Sequence, residues 1–482
     1  MYWNLANDTA MKKSFAISFV ALALSMTGFA QTTVPYPAVP GMRTSAVYSA
    51  EANGKAIWVE EIGPGGMENL NVMNFSCSGV QDVCISAADT VESFSIEPES
   101  AGISARAEGR MLKFSMPGPG KLYIRINGYP YLAVFANPLE DREVSPSDRK
   151  IDYYGPGNHD GGRIEVHDGQ SIYIAGGANL NADLYGSAKD VMIFGRGSLS
   201  GRIDLRDCEG LTVEGVFIRN TRGWANTVTN SSGVLYDNVK IFSHTGVWGL
   251  DGINPVSCKG FTVRDCFIRT RDDCIAIKSN GNPAEYDLTT RDVLIEKCIL
   301  VGWDHADGVT LGFELNGGEV KDVKVRDCDI LRSAGSGRSG GHSAFSIVCD
   351  GASSVHDICF EDIRVSADME YKNLEIILTE AERYGNGEMG SIDGVYIRNV
   401  KWENEDRPFT IVGHPTRFVR NVVFSNCYVG GRLLTGTDDA WFQTEYVSGL
   451  EFIPGGAADT SRYPEKETGG RVPGQRNTNA NK

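Results

Sequence analysis

Thr262-Val263-Arg264-Asp265-Cys266 is a short alternating strand that ends in a polar residue and a small apolar one, and the chain repeats it. The pattern returns as Leu235-Tyr236-Asp237-Asn238-Val239, Leu294-Ile295-Glu296-Lys297-Cys298, Lys324-Val325-Arg326-Asp327-Cys328, Cys359-Phe360-Glu361-Asp362-Ile363, Tyr396-Ile397-Arg398-Asn399-Val400 and Val423-Phe424-Ser425-Asn426-Cys427. The last residue of each copy recurs after 27, 32, 30, 35, 37 and 27 positions, with weaker copies at Val213 to Val216 and Phe194 to Gly197. Self-similarity of this length marks one supersecondary unit stacked on itself. The apolar residues alternate over short runs, as in strands, where a helical solenoid would space them three and four apart. Coils of two or three strands with polar corners describe a right-handed parallel β-helix. Cys266, Cys298, Cys328 and Cys427 then share one interior column, about 4.8 Å apart from coil to coil, as small buried thiols and not as disulfides. The Asn and Asp residues that precede the column are expected to hydrogen-bond along the turn.

Between the repeats lie second strands that align with each other, and each begins with an acid: Asp251-Gly252-Ile253-Asn254, Asp273-Cys274-Ile275-Ala276-Ile277-Lys278 and Asp307-Gly308-Val309-Thr310-Leu311-Gly312-Phe313-Glu314. A period of two sends Ile253, Ile275, Ile277, Val309 and Leu311 inward and turns Gly252, Asn254, Cys274, Ala276, Lys278, Gly308, Thr310, Gly312 and Glu314 outward. The outward row is mostly small, so three adjacent coils form a trough. Asp272 shares the phase of Lys278 and points into it, whereas Asp251, Asp273 and Asp307 stand at bends that alternation does not orient. Adjacent carboxylates such as Asp272 and Asp273 repel and raise each other's pKa, which suits a site that must keep one acid protonated. Asp251, Asp272 and Asp273 are the candidate catalytic residues, weighed against corner acids that merely cap turns. His305, Lys278, Asn254, Trp248, Trp303 and Glu314 are the candidate substrate-binding residues; the alternative is a structural histidine for His305, holding the acids' charge for Lys278, and buried packing for Trp248 and Trp303. No metal or cofactor is called for.

The rest of the chain frames this region. Its 482 residues carry a formal net charge of -16, which argues against nucleic acid or an anionic membrane as partner. Met11-Lys12-Lys13, the apolar run Phe15 to Met26 and Gly28-Phe29-Ala30 read as a signal peptide cut after Ala30, with residues 1–30 as leader and translation starting at Met11. The run is shorter than the roughly 20 residues a membrane span needs, so a periplasmic or secreted protein is expected. Residues 31–145 hold short strands at Ala56 to Ile62, Val91 to Pro98, Arg110 to Met116, Lys121 to Asn127 and Tyr131 to Phe135, the pattern of a small β-sandwich. It either packs against the second domain or helps hold a polymer. Cys77 and Cys84 flank an expected hairpin and are placed to form a disulfide. The β-helix occupies 146–455, and 456–482 reads as a flexible tail. The fold class is therefore all-β, a right-handed parallel β-helix preceded by a β-sandwich.

Trp224, Asp251-Gly252, Asp272-Asp273-Cys274-Ile275-Ala276-Ile277 and His305 in Asp304-His305-Ala306 resemble the polygalacturonase family of glycoside hydrolases, family 28, whose motifs are NTD, DDCIAI, GHG and RIK. The resemblance covers about 220 to 350. The sandwich ahead of the β-helix looks more like the dextranase and isopullulanase group, family 49. Either resemblance implies inverting hydrolysis of a polysaccharide or oligosaccharide, with Asp272 as general acid, Asp251 and Asp273 sharing the base role, and His305 tuning an acid. An acid and a base that flank a sugar stand roughly 6.5 to 9.5 Å apart. The chain departs from the pattern at Gly249-Leu250-Asp251, at Asp304-His305-Ala306, around Asn282 to Thr290, and at His342 to Val348, where no RIK pair is found. Without those cations a neutral or differently charged glycan is favoured over a pectic one. The alternatives are a pectin hydrolase, a polysaccharide lyase using Lys278 as base and calcium-binding acids, and a non-catalytic glycan-binding β-helix.

Overall fold

The computed structural model describes residues 31–63, 67–243, 249–336, 341–381 and 383–455. The leader with its cut after Ala30, Trp248 and the 456–482 segment lie outside them. Among the described residues no helix is long and apolar enough to cross a membrane.

From Ile151 onward each coil adds one rung to three parallel columns of strands. The first is a sheet of twelve parallel strands from Ile151–Tyr154 to Val447–Ile453, and its strands carry the repeat found in the sequence. A second column, here called the flank, runs through Phe217–Arg219, Lys240–Phe242, Phe267–Thr270, Ile299–Gly302 and Asp329–Arg332. The third, the site face, runs through Ile203–Arg206, Asn226–Thr229, Ile253–Val256, Ile275–Ser279, Val309–Leu315, Ser343–Cys349 and Lys372–Leu378. Ile253, Ile275, Ile277, Val309 and Leu311 lie in the shared core, as alternation requires.

The corner after each repeat strand is turned through a left-handed residue. Asn238, Asp265, Lys297, Asp327, Asp362, Asn399 and Asn426, the residues just before the interior column, have φ between 50° and 55°. Asn and Asp tolerate that conformation better than other residues with a Cβ, which explains their recurrence. They also bond up the stack, from Asn426 Nδ2 to Asn399 Oδ1 at 2.8 Å and from Asn399 Nδ2 to Asp362 Oδ1 at 2.9 Å. Cys266, Cys298, Cys328 and Cys427 are buried free thiols. Burial, then contacts with Cys266 and Cys328, hold the Cys298 thiol well above its ordinary pKa.

The N-terminal strands form two facing sheets. One contains Leu70–Ser78, Gly120–Ile126 and Leu132–Pro138; the other contains Tyr48–Ala52, Gln81–Ala87 and Met111–Met116. The expected hairpin at Cys77 and Cys84 is a crossover, because Leu70–Ser78 and Gln81–Ala87 belong to opposite sheets. Cys77 is buried, Cys84 alternates with the buried Val83 and Ile85 on the outer side, and both are free. The first sheet lays its outer face on the flank: Phe135 meets Phe217, Phe242 and Phe267 with ring centroids 5.5, 6.0 and 5.2 Å apart. Arg269, buried in this seam, donates Nε to the Tyr123 hydroxyl at 3.1 Å and Nη2 to the Glu68 carbonyl at 3.0 Å. The sandwich thus braces the flank and leaves the site face open.

Replacing Asn399 tests the corner. Asn399→Val forces a β-branched residue into the left-handed region and is expected to cost about 1–2 kcal/mol, whereas Asn399→Gly costs less; thermal melts of the two variants give the order.

Candidate active site

The backbone ladder brings the acids together. Gly252 donates its N–H to the Asp273 carbonyl at 2.9 Å and Cys274 to the Asp307 carbonyl at 2.9 Å, so Asp251, Asp273 and Asp307 occupy one position on three successive coils. The bend before each strand needs little room at the next residue. A Cβ on Gly252 would stand 2.4 Å from the Cys274 carbonyl oxygen, and one on Gly308 2.6 Å from that of Ala344. Cys274 fills the equivalent place on the middle coil. It was expected to face outward, but it precedes its strand, where alternation does not hold. Its Sγ points into the core, 3.2 Å from Thr270 Oγ1.

The same bend turns Asp272 and Asp273 to one side. A carboxylate oxygen from each of Asp251, Asp272 and Asp273 lies within 4.8 Å of the other two, and Asp273, Asp307 and His342 form a second such group. Asp251 and Asp273 are 3% and 5% exposed, while Asp272 is half-buried and nearest the surface. The Asp307 amide donates to Asp273 Oδ1 at 2.8 Å. Asp307 is itself held by the Ser343 amide at 2.7 Å and by the Ser346 hydroxyl. These bonds fix the acids from below.

Electrostatics follow from burial. Loss of water raises Asp251 well above the usual carboxylate range; Asp272 and Glu314 add to the rise, and Lys278 and Asn254 oppose it. Burial also raises Asp272, with His342, the Asp273 amide, Lys278 and His305 pulling it back. Lys278 Nζ lies 2.5 Å from Glu314 Oε2 and 3.8 Å from Asp251 Oδ2. Burial disfavours its charge, yet Asp251 and Glu314 outweigh that and raise its pKa. The Trp224 ring covers this ammonium at 4.6 Å.

The structure thus gathers Asp251, Asp272, Asp273, Lys278, Asn254 and Glu314 into one cluster, with His305 at its edge. The His305 ring stands 6.2 Å from that of His342, and its Nδ1 lies 3.4 Å from Asp304 Oδ1. Most of the row expected to line an open trough is covered: Asn254, Ala276 and Thr310 are fully buried, and Lys278 is 4% exposed. Trp303 lies with Arg269 and Arg332 against its ring, at 4.5 and 4.8 Å. Those contacts tie it to the seam with the sandwich. His342, and the place of Asp307 against Asp273, carry no pattern in the sequence. The one available signal was register, since Ser343 follows Asp307 by one coil.

These columns define a right-handed parallel β-helix with a cluster of carboxyl groups on one face. Residues 187–406, a little under half of the chain, match the family model Glycosyl hydrolases family 28. A probable polygalacturonase from Vitis vinifera is 26% identical over 133 residues, and that match spans 27% of this chain and 27% of the grape protein. Among solved structures, Dex49A from Penicillium minioluteum superposes with a TM-score of 0.60 at 13% identity, over 87% of this chain and 96% of that one. An exopolygalacturonase from Thermotoga maritima gives 0.50 at 15% identity, over 64% and 84%. At these identities the likeness is one of fold, and its extent over Dex49A includes the sandwich as well as the β-helix.

Two stability tests follow from the charges. The raised Asp272 pKa means that the folded state holds its proton more tightly than the unfolded chain does, whose Asp titrates near 3.9. That contribution is fully present below about pH 4 and is lost as pH rises through the folded-state value. Asp272→Asn should therefore leave Tm unchanged at pH 3.5 and raise it at pH 7.5. Lys278→Met strands Asp251 and Glu314 without their cation and should cost about 3–5 kcal/mol, read as a lower denaturant midpoint.

Proposed function

We propose that the protein is an exported, inverting glycoside hydrolase that cleaves a non-pectic polysaccharide or oligosaccharide on the site face. The observation that carries this reading is the close triad of Asp251, Asp272 and Asp273. Asp272, the least buried of the three and raised by burial, donates its proton to the leaving oxygen. Asp251, paired with Lys278, and Asp273 share the activation of the water. His305, at the edge of the cluster, helps set the charge on Asp272.

The substrate reading rests on the charges. Lys278 is matched by Asp251 and Glu314, so among the described residues this lysine is not a spare cation for a galacturonate carboxylate. The same contacts weigh against a lyase, because Lys278, the base such an enzyme would use, is held as an ammonium. A retaining course is a second reading, favoured by one observation. The oxygens approach within 4.8 Å, closer than the separation of about 6.5–9.5 Å expected for inversion. The burial of Asp251 and Asp273 beneath Asp272 supports water activation over direct attack on the sugar.

Asp272→Asn is expected to lower kcat/KM about 10²–10⁴-fold on whichever glycan releases reducing ends in a screen of neutral and acidic polysaccharides. Full activity in that variant would sink the assignment. Proton NMR of the first product should show the inverted anomer, and a retained one selects the second course. Products absorbing in the near ultraviolet would point to a lyase instead.

A further inference from the structure

A second cleft lies on the site face, on the coils that precede the triad. Its cavity of about 600 Å³ is lined by Arg202, Asp204, Arg206, Trp224, Thr229 and Tyr286 among others. Register places it in line with the triad: Arg206, Thr229, Val256 and Lys278 occupy the same position on four successive coils. At 4.8 Å per coil, Arg206 is about 14 Å from the Lys278 row, a few sugar units along a chain laid parallel to the helix axis. Trp224 belongs to both places, since it lines this cleft and covers the Lys278 ammonium. Tyr286 comes from the segment between the strands Ile275–Ser279 and Thr290–Glu296 and lines the same cavity. Aromatic faces with threonine hydroxyls between them suit the apolar face and the hydroxyl edge of a sugar ring.

The charges at the two places differ in sign. Around the triad the lysines and arginine among the described residues have their acids, Lys278 with Asp251 and Glu314, Arg271 with Asp304, and Lys372 with Glu375. Asp272, Asp273 and Asp307 add further carboxyl groups there. In the second cleft two guanidinium groups share one carboxylate, Arg202 at 3.3 Å and Arg206 at 3.8 Å from Asp204. The neighbouring Arg222 and Asp183 add one charge of each sign, 4.0 Å apart. This end of the face therefore keeps an excess cation on a chain whose net charge is -16.

We propose that this cleft is a specificity subsite for a sugar bearing an anionic group, and that the substrate is a heteroglycan whose acidic unit stands a few residues from the neutral one at the cleaved bond. The proposal rests on the reading that a glycan occupies the site face. It deepens that reading, because a uniformly acidic chain would set carboxylates against the triad, where the cations are already matched. Arg202 and Arg206 hold the anionic group, Trp224 and Tyr286 hold the ring, and the distance between the two places sets the register of cleavage.

The test is binding to full-length Asp272→Asn protein by titration calorimetry. The probes are isomaltohexaose, the same oligosaccharide oxidised at its terminal 6-hydroxyl to a carboxylate, and an oligogalacturonide of equal length. The singly acidic probe should bind at least tenfold tighter than the neutral one, and 0.5 M salt should erase most of that preference. Adding Arg206→Gln should remove it while leaving the neutral probe unchanged. Asp204→Asn, which frees both guanidinium groups, should strengthen it several-fold, a gain that misfolding cannot mimic. Equal binding of the neutral and singly acidic probes, tightest binding of the oligogalacturonide, or no response to Asp204→Asn each overturns the subsite. If the acid preference appears but wild-type protein releases no reducing ends from any glycan, the hydrolase reading falls and the subsite stands.

Discussion

Everything in the molecule depends on the parallel backbone ladder between coils. It stacks equivalent residues about 4.8 Å apart, and a parallel strand buried against its neighbours has no freedom to slip by one residue without turning its core side chains outward. Asp251, Asp273 and Asp307 are far apart in sequence and adjacent in space only because that ladder is in register. The chemistry is therefore set by main-chain geometry first and by side-chain identity second. Gly252 and Gly308 show how strict the arrangement is, since a single methyl group at either would collide with the carbonyl of the next coil.

The fold was largely legible in the sequence because a stacked unit writes itself many times. Asn238, Asp265, Asp362 and Asn399 marked the corners, and the column ending in Cys266, Cys298 and Cys328 gave the phase. The triad was legible for a narrower reason, the oddity of two adjacent acids at the start of an apolar strand. What alternation could not reach was the bend itself. Asp273 and Cys274 lie there, and their directions come from a turn that has no period. His342 escaped because a lone histidine carries no pattern, and its position against Asp307 is a property of coil register. The misread hairpin at Cys77 has a similar cause: a Gly-Val turn between two strands looks the same whether the chain folds back on one sheet or crosses to another.

Charge and burial divide the site face into two regions. At the triad, carboxyl groups are crowded and dehydrated, conditions that favour holding a proton. Toward the preceding coils, the face opens and its balance shifts toward arginine. A glycan lying along the axis would meet both regions at once, so the distance between them is as much a part of recognition as the groups themselves. Loops at the coil ends, such as the segment carrying Tyr286, can change one region without disturbing the ladder beneath the other.

The seam at Phe135 has a mechanical meaning. One side chain touches Phe217, Phe242 and Phe267, which belong to three consecutive turns of the helix. The strand carrying Phe267 ends two residues before Asp272. A stack of coils joined only to nearest neighbours is compliant along its length, and small displacements accumulate from rung to rung. The sandwich acts as a splint across these rungs, tying three of them together through one side chain. What it gives the site face is stiffness, delivered through the flank and not through the acid cluster.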